Sequence, residues 1–150
     1  ERFDYRPYLI LLALVTPIIV AASFQDGFVR YYPTYKHNDV AAAMDWPGWI
    51  PVLIYEFFYG LDFLNVELLF RGFMVIGLVH ILGKDAILPM VSTYCFLHFG
   101  KPLGEAVSSI FGGYLLGVIA MYTRSIWRGV ILHVGIAWTM ELTAYLQKTL

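Results

Sequence analysis

The sequence of 150 residues is 59% hydrophobic and only 14% charged, and its formal net charge at pH 7 is −1. Because a soluble domain averages about half apolar and about a quarter charged residues, this composition predicts a polytopic α-helical membrane protein. The near-neutral charge argues against a nucleic-acid-binding protein, and the single cysteine, Cys95, excludes an internal disulfide and a cysteine-built metal site.

The predicted fold class is all-α: a transmembrane bundle with about five membrane helices in one domain, residues 1–150. The first apolar run covers residues 8–24. A polar, tyrosine-rich connection follows at residues 25–46, and we expect a short interfacial helix within it, around residues 39–44. Because the chain opens on Glu1 without an initiator methionine, we expect the domain to be truncated at its N-terminus.

The second apolar run, residues 46–82, is too long for one simple span. It begins at Trp46-Pro47-Gly48-Trp49, which is typical of a helix start at the level of the lipid headgroups. We expect the run either to tilt strongly or to break near Gly60. A short third segment covers residues 86–100, because Gly100-Lys101-Pro102 ends the helix there.

The fourth helix is predicted at residues 103–123 and the fifth at residues 125–146. Gly113 and Gly117 lie one turn apart in the fourth helix. Small residues on one helix face allow a neighbouring backbone to approach closely. The spacing therefore predicts that this face packs against another helix.

A carboxylate and a guanidinium lie one turn apart within the second run, at Glu67 and Arg71. Residues at i and i+4 share a helix face, and charges buried in hydrocarbon are costly unless they are paired or face water. The two residues are therefore either a structural ion pair or part of a polar site. Glu56 lies about three turns earlier on the same face, which predicts that this helix lines a polar space.

Two histidines, His98 and His133, lie in later apolar segments, and each is either a hydrogen-bonded packing residue or part of a site. A partly desolvated carboxylate serves as a general base, and histidines orient a water or bind a divalent metal such as zinc. We therefore predict that Glu67, His98 and His133 converge as a water-activating site, with the histidines as candidate metal ligands. The sequence contains no His-Glu-x-x-His zinc motif.

Three ordered segments resemble motifs of the CAAX-protease and bacteriocin-processing (CPBP) family of intramembrane endopeptidases. They are Glu67-Leu68-Leu69-Phe70-Arg71-Gly72, then Tyr94-Cys95-Phe96-Leu97-His98, then Ile131-Leu132-His133. The resemblance covers about residues 46–146. It implies a hydrolase that cleaves a membrane-anchored peptide or protein, with Glu67, Arg71, His98 and His133 as catalytic-site residues.

The sequence departs from the family pattern, which is Glu-Glu-x-x-x-Arg, an aromatic residue followed by His, and His-x-x-x-Asn. The first glutamate falls on Val66 and the asparagine on Ala137, and both positions have a chemical role in the family. Tyr94 replaces a phenylalanine, a change that we expect to be neutral. A subset of similar bacterial sequences has a single glutamate in the first motif and reads His-x-Gly-Lys-Pro-x-x-Glu. Residues 98–105 resemble that subset, which implies that Glu105 supplies the missing carboxylate.

The resemblance leaves two functions open, with lipid and a membrane-anchored substrate as the implied partners and a bacterial inner membrane as the implied location. In the first, Glu67 or Glu105 activates a water held by the two histidines, and Arg71 orients Glu67. In the second, the chain is a catalytically degenerate member that binds a partner as an accessory subunit of a membrane complex, which Val66 and Ala137 favour. A third hypothesis is a channel or carrier, but the sequence shows no inverted repeat that would support it.

Overall fold

The computed structural model describes residues 4–36 and 40–149, and this part of the chain is mostly helical. Its α-helices are α1 (Arg6–Ala22), α2 (Asp26–Tyr31), α3 (Val40–Ala43), α4 (Trp49–Glu67), α5 (Val79–Leu82), α6 (Ile87–Phe96), α7 (Leu103–Thr123) and α8 (Trp127–Thr149). A π-helix, Leu68–Gly77, continues α4, and a 3₁₀-helix, Gly83–Ala86, joins α5 to α6. The all-α prediction is confirmed.

Within the described residues, three helical runs are long and apolar enough to cross a membrane: Trp49–Phe96, Leu103–Thr123 and Trp127–Lys148. Helix α1 is apolar but shorter. Because the run Trp49–Phe96 covers most of both the second and the third predicted segment, the predicted count of about five helices is roughly consistent with this arrangement. The predicted bounds of the fourth helix agree with those of α7.

The long second run does not break near Gly60. This glycine lies within α4, and a Cβ placed on it would come within 2.9 Å of the Trp138 indole on α8. The change in the helix comes later, because π-helical hydrogen bonding begins at Leu68, directly after Glu67, and continues to Gly77. Of the two alternatives, the break near Gly60 is therefore wrong, and close packing on α8 accounts for the glycine.

The chain reverses direction between the π-helix and α6. The ring of Tyr94 in α6 packs edge-on against Phe70 of the π-helix, with 5.4 Å between centroids, and Val75 and Met90 belong to the same buried cluster. Helix α6 therefore folds back along the π-helix. It ends at Phe96, and Gly100 then adopts a φ of 90°, a left-handed conformation that glycine tolerates and that leads the chain into α7.

The glycine face of α7 packs against α6, as predicted. A Cβ on Gly113 would lie 2.9 Å from Tyr94 Cδ1, and a Cβ on Gly117 would lie 2.5 Å from Met90 Cε. Both glycines are buried. The missing side chains let the two helices approach closely enough to bury Tyr94 and Met90 between them.

A second apolar cluster joins the N-terminal helices to α8. Its buried members are Ile19, Phe28, Tyr32, Met140 and Ala144. Helix α2 supplies Phe28 to this cluster, although the sequence pattern predicted no helix there. Helix α3 corresponds to the predicted interfacial helix, and the expected start of that helix, Asp39, lies outside the described residues.

Candidate active site

Glu67 and Arg71 are both completely buried at the junction of α4 and the π-helix. Arg71 Nη1 lies 3.0 Å from Glu67 Oε1, which confirms the predicted pairing. The guanidinium N–H bonds do not point at that oxygen, so the contact is an ion pair without an aligned hydrogen bond. The guanidinium instead lies over the ring of Tyr94, with 4.3 Å between Cζ and the ring centroid.

His133 of α8 contacts the same oxygen of Glu67. His133 Nδ1 lies 3.0 Å from Glu67 Oε1, and His133 Nε2 lies 3.1 Å from the Tyr94 hydroxyl. Because a carboxylate only accepts hydrogen bonds, Nδ1–H donates to Glu67, and Nε2 accepts from the Tyr94 hydroxyl. Glu67 thereby sets the tautomer and the orientation of His133. We call this chain of hydrogen bonds the Tyr94–His133–Glu67 relay.

Glu67 reaches His133 because Gly129, one turn earlier on α8, has no side chain. A Cβ on Gly129 would overlap the carboxylate at Oε2. That oxygen has no hydrogen-bond partner among the described residues. The glycine therefore makes room for the carboxylate against the backbone of α8.

His98 lies in the turn between α6 and α7, and its side chain is buried. His98 Nδ1 lies 3.2 Å from the Tyr94 carbonyl oxygen, so Nδ1–H donates and Nε2 remains an acceptor. Burial lowers the pKa of His98, and the charge of Lys101 lowers it further, so the ring is neutral at pH 7. The ring centroids of His98 and Tyr94 lie 4.7 Å apart. Tyr94 thus contacts both histidines.

A cavity of about 650 Å³ lies between α1, α4, α6, α7 and α8. Ionisable side chains line one part of its wall, and they are Tyr32, Tyr59, Tyr94, His98, Lys101, Glu105 and His133. Most of the remaining wall is apolar. Glu56, Glu67 and Arg71 are not among the described residues that line this cavity. Tyr59 and Phe63, which lie on the same face of α4 between Glu56 and Glu67, do line it. The expected face therefore borders the cavity through these two residues, whereas Glu67 and Arg71 pack against His133 and Tyr94.

Glu105 lies on the cavity wall in the first turn of α7. Its Oε1 accepts a hydrogen bond from Lys101 Nζ at 2.7 Å, and its Oε2 accepts one from the Tyr32 hydroxyl at 2.6 Å. Each oxygen of a carboxylate accepts about two hydrogen bonds, so one acceptor position remains on each. The side chain is 13% exposed, and it is among those that line the cavity.

The two histidines do not fit the predicted zinc site as they are placed. Both ring nitrogens of His133 are hydrogen-bonded, and a metal ligand needs an unengaged ring nitrogen. His98 has Nδ1 engaged as well, which leaves only its Nε2. Across residues 4–36 and 40–149, no group of three or more His, Cys, Asp or Glu side chains is placed to hold a metal ion.

The two positions at which the sequence lacks a polar residue of the family pattern, Val66 and Ala137, lie in apolar surroundings or on the cavity wall. Val66 packs on the cluster around Phe70 and Tyr94, and Ala137 lies buried on the cavity wall, one turn after His133. Tyr94, which stands in place of a phenylalanine, adds a hydroxyl that is hydrogen-bonded to His133. Val66 and Ala137 thus remove polar groups from the site, whereas Tyr94 adds one.

Four residues that contact the predicted site were assigned no contact there from the sequence: Tyr32, Tyr94, Lys101 and Gly129. The i,i+4 spacing of Lys101 and Glu105 was a usable signal for their ion pair. Tyr32 and Gly129 leave no such signal, because their partners lie far away in the sequence. Only the packing of the helices brings them to the site.

The fold and the site together define an integral membrane helix bundle with ionisable residues around a cavity between the helices. The model of a protease family, described as type II CAAX prenyl endopeptidase Rce1-like, matches residues 45–139. The chain belongs to this Rce1-like family, which confirms the family resemblance. No curated protein and no solved structure matches the chain.

Membership of this family supports an intramembrane protease of the CAAX type. It also implies a membrane-associated peptide substrate in the lipid bilayer. The matched segment contains all five predicted site residues, which are Glu67, Arg71, His98, Glu105 and His133. It does not contain Tyr32, which contacts Glu105 from the connection between α2 and α4.

Proposed function

We propose that the chain is an intramembrane endopeptidase that hydrolyses a peptide bond of a membrane-anchored substrate, with Glu105 as the general base. The observation that supports this most directly is the position of Glu105 on the wall of the cavity that His98 and His133 also line. Glu67, the other candidate carboxylate, is fully buried and hydrogen-bonded to His133. Of the two glutamates, only Glu105 faces the space that a substrate could enter.

The activated water lies between two acceptors in this mechanism. It donates one hydrogen bond to His98 Nε2 and one to the Glu105 carboxylate, so its oxygen lone pair is directed at the peptide carbonyl carbon. As the C–O bond forms, the water proton moves to Glu105. Glu105 then transfers this proton to the nitrogen of the leaving amine, the C–N bond breaks, and the carboxylate is restored.

Glu67 and Arg71 act through His133 and Tyr94 in this mechanism. Glu67 holds the His133 ring in one tautomer, and Arg71 places its charge beside both the carboxylate and the Tyr94 ring. The two groups fix side chains on the cavity wall and do not contact the substrate. We further propose a bacterial inner membrane as the location of the protein.

The test compares Glu105→Gln with Asp62→Asn, which changes an exposed carboxylate on α4. The purified full chain in lipid nanodiscs is given an internally quenched, farnesylated CAAX peptide. We expect Glu105→Gln to lower kcat about 10²- to 10⁴-fold, as removal of a general base does, and Asp62→Asn to leave it unchanged. Size-exclusion elution and the melting temperature check that both variants are folded. If Glu105→Gln cleaves the peptide at the wild-type rate, the assignment of the base is refuted.

A partner-binding function without catalysis is the alternative. Its support is that Val66 and Ala137 are apolar and that both oxygens of Glu105 already accept hydrogen bonds. Wild-type protein that is folded but does not cleave the farnesylated peptide would favour this alternative. In that case, a stable complex with other membrane subunits, isolated by gentle detergent extraction, is the expected finding.

A further inference from the structure

Tyr32 reaches the polar part of the cavity from outside the segment that matches the family. Its hydroxyl donates to Glu105 Oε2 at 2.6 Å, across 73 residues of sequence. Tyr32 lies between α2 and α4, whereas Glu105 lies in the first turn of α7. Lys101 donates to the other oxygen of the carboxylate. The carboxylate is therefore held by one donor at each end.

The phenol of Tyr32 has little freedom to move. Tyr32 is 1% exposed, and its ring packs against Phe28 and Tyr31 with centroid distances of 5.0 and 4.9 Å. Its backbone N–H donates to the Phe28 carbonyl oxygen at 2.8 Å. Burial, and then the negative charge of Glu105, raise the pKa of Tyr32 above its usual range, so the hydroxyl stays protonated and can donate.

The segment that contains Tyr32 is also attached to the bundle without help from its hydroxyl. The Thr34 N–H and hydroxyl both donate to the buried Glu141 carboxylate of α8. Lys36 Nζ donates to three backbone carbonyl oxygens of the same segment, those of Arg30, Tyr31 and Pro33. Removing only the Tyr32 hydroxyl should therefore leave the segment in place.

We propose that Tyr32 is a positioning residue for Glu105, which fixes the plane of the carboxylate so that its remaining acceptor positions face the water and the substrate. This inference rests on the proposed function, because it assumes that Glu105 is the base. Without the Tyr32 hydroxyl, Glu105 is held only by Lys101 and is free to rotate about its terminal bond. A displacement of about 1 Å at a reacting group lowers the rate by about 10²-fold.

The activity test compares Tyr32→Phe with Tyr31→Phe, a matched change of the neighbouring tyrosine in the same segment. The full chain in nanodiscs is assayed with the quenched, farnesylated CAAX peptide. We expect Tyr32→Phe to lower kcat about 10- to 100-fold while KM stays within about twofold, because the hydroxyl orients the base and does not bind the substrate. Tyr31→Phe should retain both constants. An unchanged kcat in Tyr32→Phe would overturn the inference.

A second measurement does not need catalysis. Dicyclohexylcarbodiimide modifies carboxyl groups in apolar surroundings, and mass spectrometry of the peptide that contains Glu105 reports the rate. We expect several-fold faster labelling of Glu105 in Tyr32→Phe, because one oxygen has lost its hydrogen-bond donor, and an unchanged rate in Tyr31→Phe. An unchanged labelling rate in Tyr32→Phe would show that the hydroxyl does not hold Glu105.

The two failures are distinguishable. Full activity in Glu105→Gln contradicts the proposed base, whatever Tyr32→Phe does. Loss of activity in Glu105→Gln together with normal kcat and labelling in Tyr32→Phe contradicts only the role of Tyr32. Faster labelling with a lowered kcat and an unchanged KM is the combination that supports it.

Discussion

The ionisable residues of the site divide into two groups by what they contact. Glu67 and Arg71 are completely buried, and their contacts are with His133 and Tyr94. Glu105 and His98 face the cavity. The first group therefore determines the shape of the site and the tautomer of His133, whereas the second group is placed to contact a water.

Arg71→Ala should destabilise the protein. It leaves the buried carboxylate of Glu67 without its cation, and breaking a buried pair costs about 3–5 kcal/mol. Arg71→Lys should recover little of this, because an ammonium has no planar face to lie over the Tyr94 ring. Melting temperatures in detergent measure the loss, with Arg30→Ala, an exposed arginine, as the control. A melting temperature of Arg71→Ala equal to that of the wild type would contradict the pairing.

Gly129→Ala should displace Glu67 from His133. The added Cβ overlaps the carboxylate, and overpacking of this kind costs about 1–3 kcal/mol. Gly27→Ala on α2 is the matched control, because a Cβ there meets no atom within 4 Å and Gly27 is not among the residues that line the cavity. We expect a lower melting temperature and reduced peptide cleavage for Gly129→Ala only. Equal melting temperatures for the two variants would show that the carboxylate has room to move.

Among the secondary-structure elements, the contact between α6 and α7 has the most direct effect on the site. Tyr94 packs against Gly113 on one side and is hydrogen-bonded to His133 on the other. The same ring contacts Phe70 and Arg71 of the π-helix. The distance between α6 and α7 therefore sets the position of the Tyr94 hydroxyl in the Tyr94–His133–Glu67 relay.

Gly113→Ala should impair the protein more than Gly117→Ala. A Cβ on Gly113 meets the rigid Tyr94 ring at 2.9 Å, whereas a Cβ on Gly117 meets the flexible end of Met90, which can move aside. We expect Gly113→Ala to lose about 1–3 kcal/mol of stability together with activity. Gly117→Leu, which is too large for this space, should loosen the bundle as well. Thermal melting and peptide cleavage of the three variants provide the test, and an equal loss in both alanine variants would contradict this ranking.

At the scale of the whole molecule, the N-terminal helices α1 and α2 line the cavity, although they lie outside the family match. Helix α1 lines the apolar part of the cavity and packs along α8, and the connection after α2 supplies Tyr32 and Thr34. Two glutamates on different helices, Glu105 and Glu141, hold this connection. The site is therefore complete only when α1 and α2 are packed on α7 and α8.

Thr34→Val should weaken the attachment of the connection to α8. It keeps the shape of the side chain and the backbone N–H bond but removes the hydroxyl bond to Glu141, which costs about 1–3 kcal/mol at a buried carboxylate. We expect faster limited proteolysis between α2 and α4 and a lower melting temperature. Thr93→Val changes an exposed threonine whose hydroxyl donates to the Pro89 carbonyl oxygen of its own helix, and it should alter neither quantity.

The sequence by itself determined the class of protein, most helix bounds, the pairing of Glu67 with Arg71 and the family. These features depend on local quantities, namely the length of apolar runs, the i,i+4 spacing and short motifs. The tertiary structure decided which carboxylate faces the cavity, that Tyr94 bonds to His133 and that Tyr32 bonds to Glu105. These contacts join residues on different elements, so they depend on how closely the helices approach each other, and no periodicity within one helix encodes that distance.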